Sequence, residues 1–280
     1  MQGKTVVITG ATSGIGAVAA TTLARRGAKI VFIARDRPRG EQMLQQLRAI
    51  SPGAGHLLHR ADLSLMAEMQ RVARAIADSE KRIDVLLNNA GAVFSSRELT
   101  GEGLEKTFAT NHMAYFVVTA VLLERLKATP GARIVSTASD AYKAARLNFS
   151  DLQSARGYGA FGMYGRSKLM NVLFTRLLAR RLAGSGVTAN CHHPGFVATR
   201  FGDSGSGFMN FLLQTSKRFA LTPEQGAQTM LYLACAPQVA QVTGTYFYKC
   251  KPAKLMRQAR DDADAQRLWE ISAKLSGVDA

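Results

Sequence analysis

The chain has 280 residues, 47% of them hydrophobic, and Lys and Arg outnumber Asp and Glu by 36 to 20, a formal charge of +16. That length and apolar content suit one domain with one large core, and no stretch holds enough consecutive apolar residues to span a bilayer. The basic residues are scattered through "ARRG", "RDRPR", "LARRL" and "KPAKLMRQAR", with no dense tail or interleaved aromatics, so a solvated basic surface is favoured over a nucleic-acid interface.

In chain order, "KTVVITG" is a short apolar, β-branched run that ends in glycine, and an amphipathic helix follows over 15–26. "AKIVFIA" is the second strand, with a helix over 41–49 after it. "HLLHRADL" is the third strand and leads into a helix over 64–77. "IDVLLNNAG" and "ARIVSTAS" are the fourth and fifth strands, separated by a long helix over 104–126. Helices over 162–183 and 223–234 alternate with a sixth strand, "GVTANCHHPG", and a seventh, "TGTYFYK". The region 252–276 reads as a helical tail. Continuous apolar strands alternating with helices predict a single-domain, doubly wound α/β fold of the Rossmann type, with a mostly parallel seven-stranded sheet covered on both faces.

The turn from the first strand into the first helix reads "TGATSGIG". Glycines there let the backbone approach a pyrophosphate, while the helix N-terminus presents free N–H groups and its positive dipole end. Gly10, Thr12, Ser13, Gly14, Ile15 and Gly16 are therefore the candidate dinucleotide cradle. Its spacing is T-G-x-x-x-G-x-G rather than G-x-G-x-x-G. An acid at the tip of the second strand would accept hydrogen bonds from an adenosine ribose and repel a 2′-phosphate. That strand ends at Ala34, followed by Arg35, which can pair with a phosphate, and Arg39 can assist. Asp36 reads as a residue at the start of the next helix. NADP(H) is the expected cofactor, with NAD(H) as the alternative. Asp62 and Leu63 end the third strand where an adenine edge would lie, Asp62 doubling as a candidate helix N-cap. Asn89, Ala90 and Gly91 end the fourth, where small residues let a cofactor pass close to the backbone.

"YGRSK" places Tyr164 and Lys168 four residues apart on one helix face. Alone, that spacing is commonplace. Together with "TGATSGIG", "NNAG", Asn111 in "ATNHMAYF", Ser139 in "RIVSTAS" and "HPGFVAT", it resembles the short-chain dehydrogenase/reductase family over essentially the whole chain. "ARDRPRGE", the run from Ser139 to Tyr164 containing "LNFSDLQ", and the tail "TGTYFYKCKPAK…ARDDADAQRLWEISAKL" are similar to its retinol dehydrogenase-like branch. Members of that branch often carry an N-terminal membrane segment, whereas a strand begins here almost at the first residue.

The resemblance implies that Tyr164 is the general acid or base and that Lys168 lowers its pKa and holds the nicotinamide ribose. It implies further that Ser139 binds the substrate oxygen and that Asn111 holds a water in a proton relay. Pro194, Gly195, Val197 and Thr199 join the cofactor-binding set on the same ground. Competing pairs fail: Tyr158 has Gly162 four residues on, Tyr142 has Arg146, whose charge cannot be relayed as a proton, and Ser136 lies deeper in its strand than Ser139.

His192 and His193 are adjacent on a strand and point to opposite faces, so no metal site is expected. The segment 196–221 places Phe201, Phe208, Met209, Phe211 and Leu212 around a glycine–serine hinge and reads as a substrate lid with an apolar inner face; a membrane-grazing or dimer-contact helix is the competing reading. Cys191, Cys235 and Cys250 suit a reducing cytoplasm. The expectation is thus an alcohol dehydrogenase or carbonyl reductase acting on a lipophilic alcohol, aldehyde or ketone in the cytoplasm. The resemblance implies, by analogy with family members that pair through their two long helices, a homodimer or homotetramer, and any membrane-surface contact is expected to be weak. A non-enzymatic NADP(H)-binding regulator is the alternative.

Overall fold

A computed structural model describes residues 1–197 and 221–278. Eight strands form one sheet in the order β3-β2-β1-β4-β5-β6-β7-β8. They are β1 (Thr5–Thr9), β2 (Lys29–Ala34), β3 (Leu57–Arg60), β4 (Val85–Asn88), β5 (Arg133–Thr137), β6 (Thr188–His193), β7 (Tyr246–Tyr248) and β8 (Lys251–Pro252). The first seven run parallel, and β8 adds a two-residue antiparallel edge that seven apolar runs did not foretell. The polar pair Lys251–Pro252 carries no apolar signal.

Side-chain alternation divides the core in two. Val6, Ile8, Ile30, Phe32, Ala34, Leu87 and Val135 face α1 (Gly14–Arg25), α2 (Arg37–Ile50) and the helix Pro223–Cys235, here α7. Val7, Val31, Ile33, Leu86 and Ile134 face α3 (Met66–Ser79), α5 (Ala114–Lys127), α6 (Ala160–Arg181) and the C-terminal helix Asp262–Ser276, here α8. The strand order reverses between β1 and β4, which opens a crevice at their carboxyl ends.

Several helix limits differ from the periodicity for local reasons. The second helix begins at Arg37, four residues before the apolar pattern, because Asp36 caps it by accepting from the Arg39 amide at 2.9 Å. The third begins at Met66 rather than Ser64. Asp62 Oδ1 accepts from the Ser64 amide at 2.9 Å in a tight turn, so it is not the N-cap. The cap comes from the distant Glu102, whose carboxylate accepts from the Met66 and Ala67 amides. The long helix expected over 104–126 is broken into α4 (Lys106–Phe108), a π-helical turn (Ala109–Met113) and α5. In the tail, a 3-10 turn (Arg257–Arg260) precedes α8, and residues 253–256 are not helical.

Candidate active site

The crevice between β1 and β4 is closed at its floor by Thr9, whose Oγ1 accepts from the Asn89 amide at 2.8 Å and the Ala90 amide at 3.0 Å. Asn89 returns the contact, its Nδ2 donating to the carbonyls of Thr9 and Gly10, each at 3.1 Å. Gly10 is left-handed (φ +71°), and a Cβ there would stand 2.9 Å from Ala90 Cα. At Gly16 a Cβ would run into the Gly10 carbonyl and the Asn89 amide. The two loops therefore touch only because these residues have no side chain. The first turn of α1 carries no acid, and the side chain of its N-cap, Ser13, bonds to no helix amide. The N–H groups and dipole there suit the diphosphate of a dinucleotide, so the residues present fit that group.

At the adenosine end, β2 stops at Ala34, as read, and Arg35 is exposed beside it. Asp36 is committed to the cap of α2, with the Arg39 guanidinium 3.5 Å away. Arg39 is thus partly occupied by Asp36. The sheet register adds a residue that the linear sequence did not suggest: Arg60 lies opposite Ala34. It shares the sheet face of Leu58, against which Gly40 packs, so a further exposed arginine lies across the sheet from Ala34. Asp62 is half-buried and Leu63 buried at the adjoining strand end.

The chemistry-bearing residues gather at the ends of β4 and β5. Ser139 lies just beyond β5 and caps the 3-10 turn Asp140–Ala144, its Oγ accepting from the Ala141 amide at 3.3 Å. Helix α6 presses on that turn: a Cβ at Gly165 would stand 2.9 Å from the Ala141 carbonyl oxygen. This close approach brings Tyr164, the neighbour of Gly165, to hydrogen-bond Ser139. Desolvation pushes the Tyr164 phenol up to about 12, and the Ser139 bond opposes part of that rise. One turn on, Lys168 is buried, donates to the Thr137 carbonyl at 3.1 Å, and has its Nζ 5.5 Å from the centre of the Tyr164 ring. Burial pulls the ammonium down to about 7. In both groups burial is the largest cause of the shift, upward for the phenol and downward for the ammonium.

Asn111 sits on the π turn, a local insertion typical of functional sites. Its Oδ1 accepts from the Ala92 amide at 2.8 Å, and its Nδ2 donates to the Ala92 carbonyl at 2.9 Å and Ser167 Oγ at 3.0 Å. With both ends of the amide engaged, the side chain clamps the loop after β4. Gly91 connects the two groups: a Cβ there would stand 3.3 Å from Asn111 Oδ1 and 3.5 Å from Lys168 Nζ.

Ser136 is wholly buried within β5 and paired with Cys191 across the sheet, so Ser139 is the serine at the cleft. His192 is buried with Nε2 3.3 Å from Thr137 Oγ1, whereas His193 stacks on Tyr248 at 5.2 Å. The two rings share no partner, and among the described residues no group of His, Cys, Asp and Glu forms a metal centre. Pro194 and Gly195 follow β6, and Gly195 is left-handed (φ +90°), with Leu221 against it. Val197 bridges to Leu221. Thr199, Phe201, Phe208, Met209, Phe211 and Leu212 lie outside the described residues.

The comparisons agree with this geometry. Residues 4–206 match the family "short chain dehydrogenase". Retinol dehydrogenase 14 of Mus musculus is 40% identical over 294 residues, spanning 99% of this chain and 87% of that protein. A crystal structure of an uncharacterized protein from Mycobacterium paratuberculosis superposes with a TM-score of 0.78 at 32% identity, covering 99% of this chain and 95% of the other. The active-site complex of Pseudomonas aeruginosa RhlG with NADP has a TM-score of 0.69 at 26% identity, covering 88% and 94%. A matched cradle, a Ser–Tyr–Lys cluster and this level of identity over nearly the full length leave one conclusion: the chain belongs to the short-chain dehydrogenase/reductase family of NAD(P)-dependent oxidoreductases and is related within it to the retinol dehydrogenases.

Proposed function

We propose that the protein is an NADP(H)-preferring oxidoreductase that interconverts a lipophilic alcohol and its aldehyde or ketone. The observation that carries this reading is the apposition of Ser139 and Tyr164, one helical turn from Lys168, at the edge of the dinucleotide crevice. A bound nicotinamide would supply or accept the hydride. The chain's own residues manage the oxygen and its proton. A phenol at about 12 stays protonated near neutrality, which suits donation to a carbonyl oxygen during reduction. Ser139 can donate to the same oxygen. Lys168, at about 7, can take up or release a proton near neutral pH and hand it towards Tyr164.

NADP(H) is favoured by the absence of an acid at Ala34, the capture of Asp36 as a helix cap, and the exposed guanidinium of Arg35. The NADP in the RhlG complex points the same way. A lipophilic substrate is supported by Phe161, one turn before Tyr164 and 63% exposed, and by Phe196, 50% exposed after β6. A homodimer or homotetramer belongs to the same proposal, and Trp269 of α8, packed on Phe116 of α5 and Phe174 of α6, argues against contact between two copies at those two residues. No described helix is long and apolar enough to cross a membrane. A cytoplasmic location belongs to the same proposal and rests on the three free cysteines.

The test follows NADPH absorbance with a panel of aliphatic, aromatic and isoprenoid aldehydes and ketones, with NADH in parallel and Tyr164→Phe beside the wild type. Wild-type turnover that the variant lacks, faster with NADPH, is the expected result. NADPH binding without turnover of any carbonyl would favour the non-enzymatic regulator.

A further inference from the structure

Asn111 and His112 are consecutive on the π turn but look to different sides. Asn111 clamps Ala92 at the crevice. His112 is wholly buried and reaches the C-terminal helix, its Nε2 2.8 Å from Ser272 Oγ. Ser272 spends its own proton on the Leu268 carbonyl, 2.8 Å away. With that proton on Leu268, the Ser272 oxygen is open to accept from the histidine, which then carries its proton on Nε2, and Asn171 bonds the same ring. Burial keeps that ring neutral, with a pKa of about 3.

The contact is part of a wider dock. Phe116 of α5 and Phe174 of α6 pack on the His112 ring and also on Trp269 of α8, at 5.1 and 5.7 Å. Asp262, at the start of α8, pairs with Arg176 and Arg180 of α6. Helix α8 thus backs both the helix that carries Tyr164 and Lys168 and the turn that carries Asn111. A π turn holds one residue more than an α-helical turn and persists only where its surroundings over-determine it. Here the surroundings are Ala92 and Ser167 on the Asn111 side and Ser272 and Asn171 on the His112 side.

We propose that His112 is a positioning residue for Asn111 and that Ser272 holds it in place, which makes the C-terminal helix a working part of the active site. Without Ser272 Oγ, the buried N–H of His112 loses its acceptor, a costly state. The turn can relax by returning to α-helical register, which would rotate Asn111 by roughly 100° and draw it off Ala92. The kinetic consequence rests on the oxidoreductase reading above; the structural one does not.

The experiment compares full-length wild type, Ser272→Ala and His112→Gln by native-state amide exchange. Kinetics are measured on whichever carbonyl the wild type turns over. Trp269 is the one tryptophan of the chain, so its emission reports directly whether α8 stays docked. In Ser272→Ala, exchange at residues 109–113 and at Ala92 should quicken about tenfold or more while β1 and β4 stay protected and the Trp269 emission holds. The kcat should fall about tenfold with KM little changed, as expected for a misplaced catalytic group. His112→Gln keeps an N–H that can reach Ser272 and should retain most of the protection. Unchanged exchange at the turn would overturn the proposal. So would equal quickening throughout the sheet, or a raised KM with kcat intact. A wild type inactive on every carbonyl would count against the oxidoreductase reading, and the exchange data would still decide this one.

Discussion

Gly165 and Ala141 are in contact across the cleft: the site of a Gly165 Cβ lies 2.9 Å from the Ala141 carbonyl oxygen. That spacing sets how close Tyr164 comes to Ser139, since one is the neighbour of Gly165 and the other caps the turn containing Ala141. An added methyl must push helix and turn apart. Gly165→Ala should therefore cost about 1–3 kcal/mol by overpacking. It should also lower kcat by as much as about 100-fold through misplacement of the acid. Thermal unfolding and steady-state kinetics on the same preparation check both. A variant with wild-type kcat would show that the Ser139–Tyr164 distance is not critical.

Lys168 makes stability depend on pH in a definite direction. Its folded pKa is lowered from 10.5 to about 7 by burial. Between those values the unfolded chain holds a proton that the folded chain lacks, so this group's contribution to stability rises with pH. The penalty is full below about pH 7 and gone above about pH 10.5. Denaturant unfolding of wild type against Lys168→Met should show wild type gaining on the variant from pH 7 to pH 10. A pH-independent difference would mean that the buried lysine keeps its ordinary pKa.

Cofactor choice should follow charge at the end of β2. Arg35→Ala should raise KM for NADPH by about 10-fold or more, the loss of a charge-assisted phosphate contact, and leave KM for NADH nearly unchanged. Ala34→Asp should reverse the preference by placing a carboxylate against the 2′-phosphate. Should Arg35→Ala leave the NADPH-to-NADH ratio alone, Arg60, opposite Ala34, is the next guanidinium to remove.

Trp269 packs between Phe116 and Phe174 under the Arg181 guanidinium, whose centre lies 4.2 Å from the ring. Trp269→Ala should cost about 3–5 kcal/mol, measurable by denaturant titration. Asp262→Asn, which breaks exposed ion pairs at the start of the same helix, should cost no more than about 1 kcal/mol. Because Trp269 fills the space between Phe116 of α5 and Phe174 of α6, two copies should not meet at those residues, whatever mass light scattering gives for the full chain. Cross-linking between Phe116 or Phe174 positions of two copies would contradict this.

Most of the architecture was legible in the linear pattern because it rests on local rules. Apolar runs of five or six residues gave parallel strands, glycines marked the turn into α1, and the offset of four placed Tyr164 and Lys168 on one helix face. The end of β2 at Ala34 and the role of Asp36 as a helix start were readable for the same reason. What escaped the sequence depends on partners far along the chain. Glu102 caps α3 from 36 residues away, and Arg60 meets Ala34 only through strand register. The π turn at Asn111 interrupts a stretch whose apolar periodicity reads as plain helix, and the dock of His112 on Ser272 spans 160 residues. The pKa shifts of Tyr164 and Lys168 were beyond the sequence for a related reason. Their four-residue spacing was visible in the sequence, but how far each is removed from water is fixed only when β5, α5 and α6 close around them.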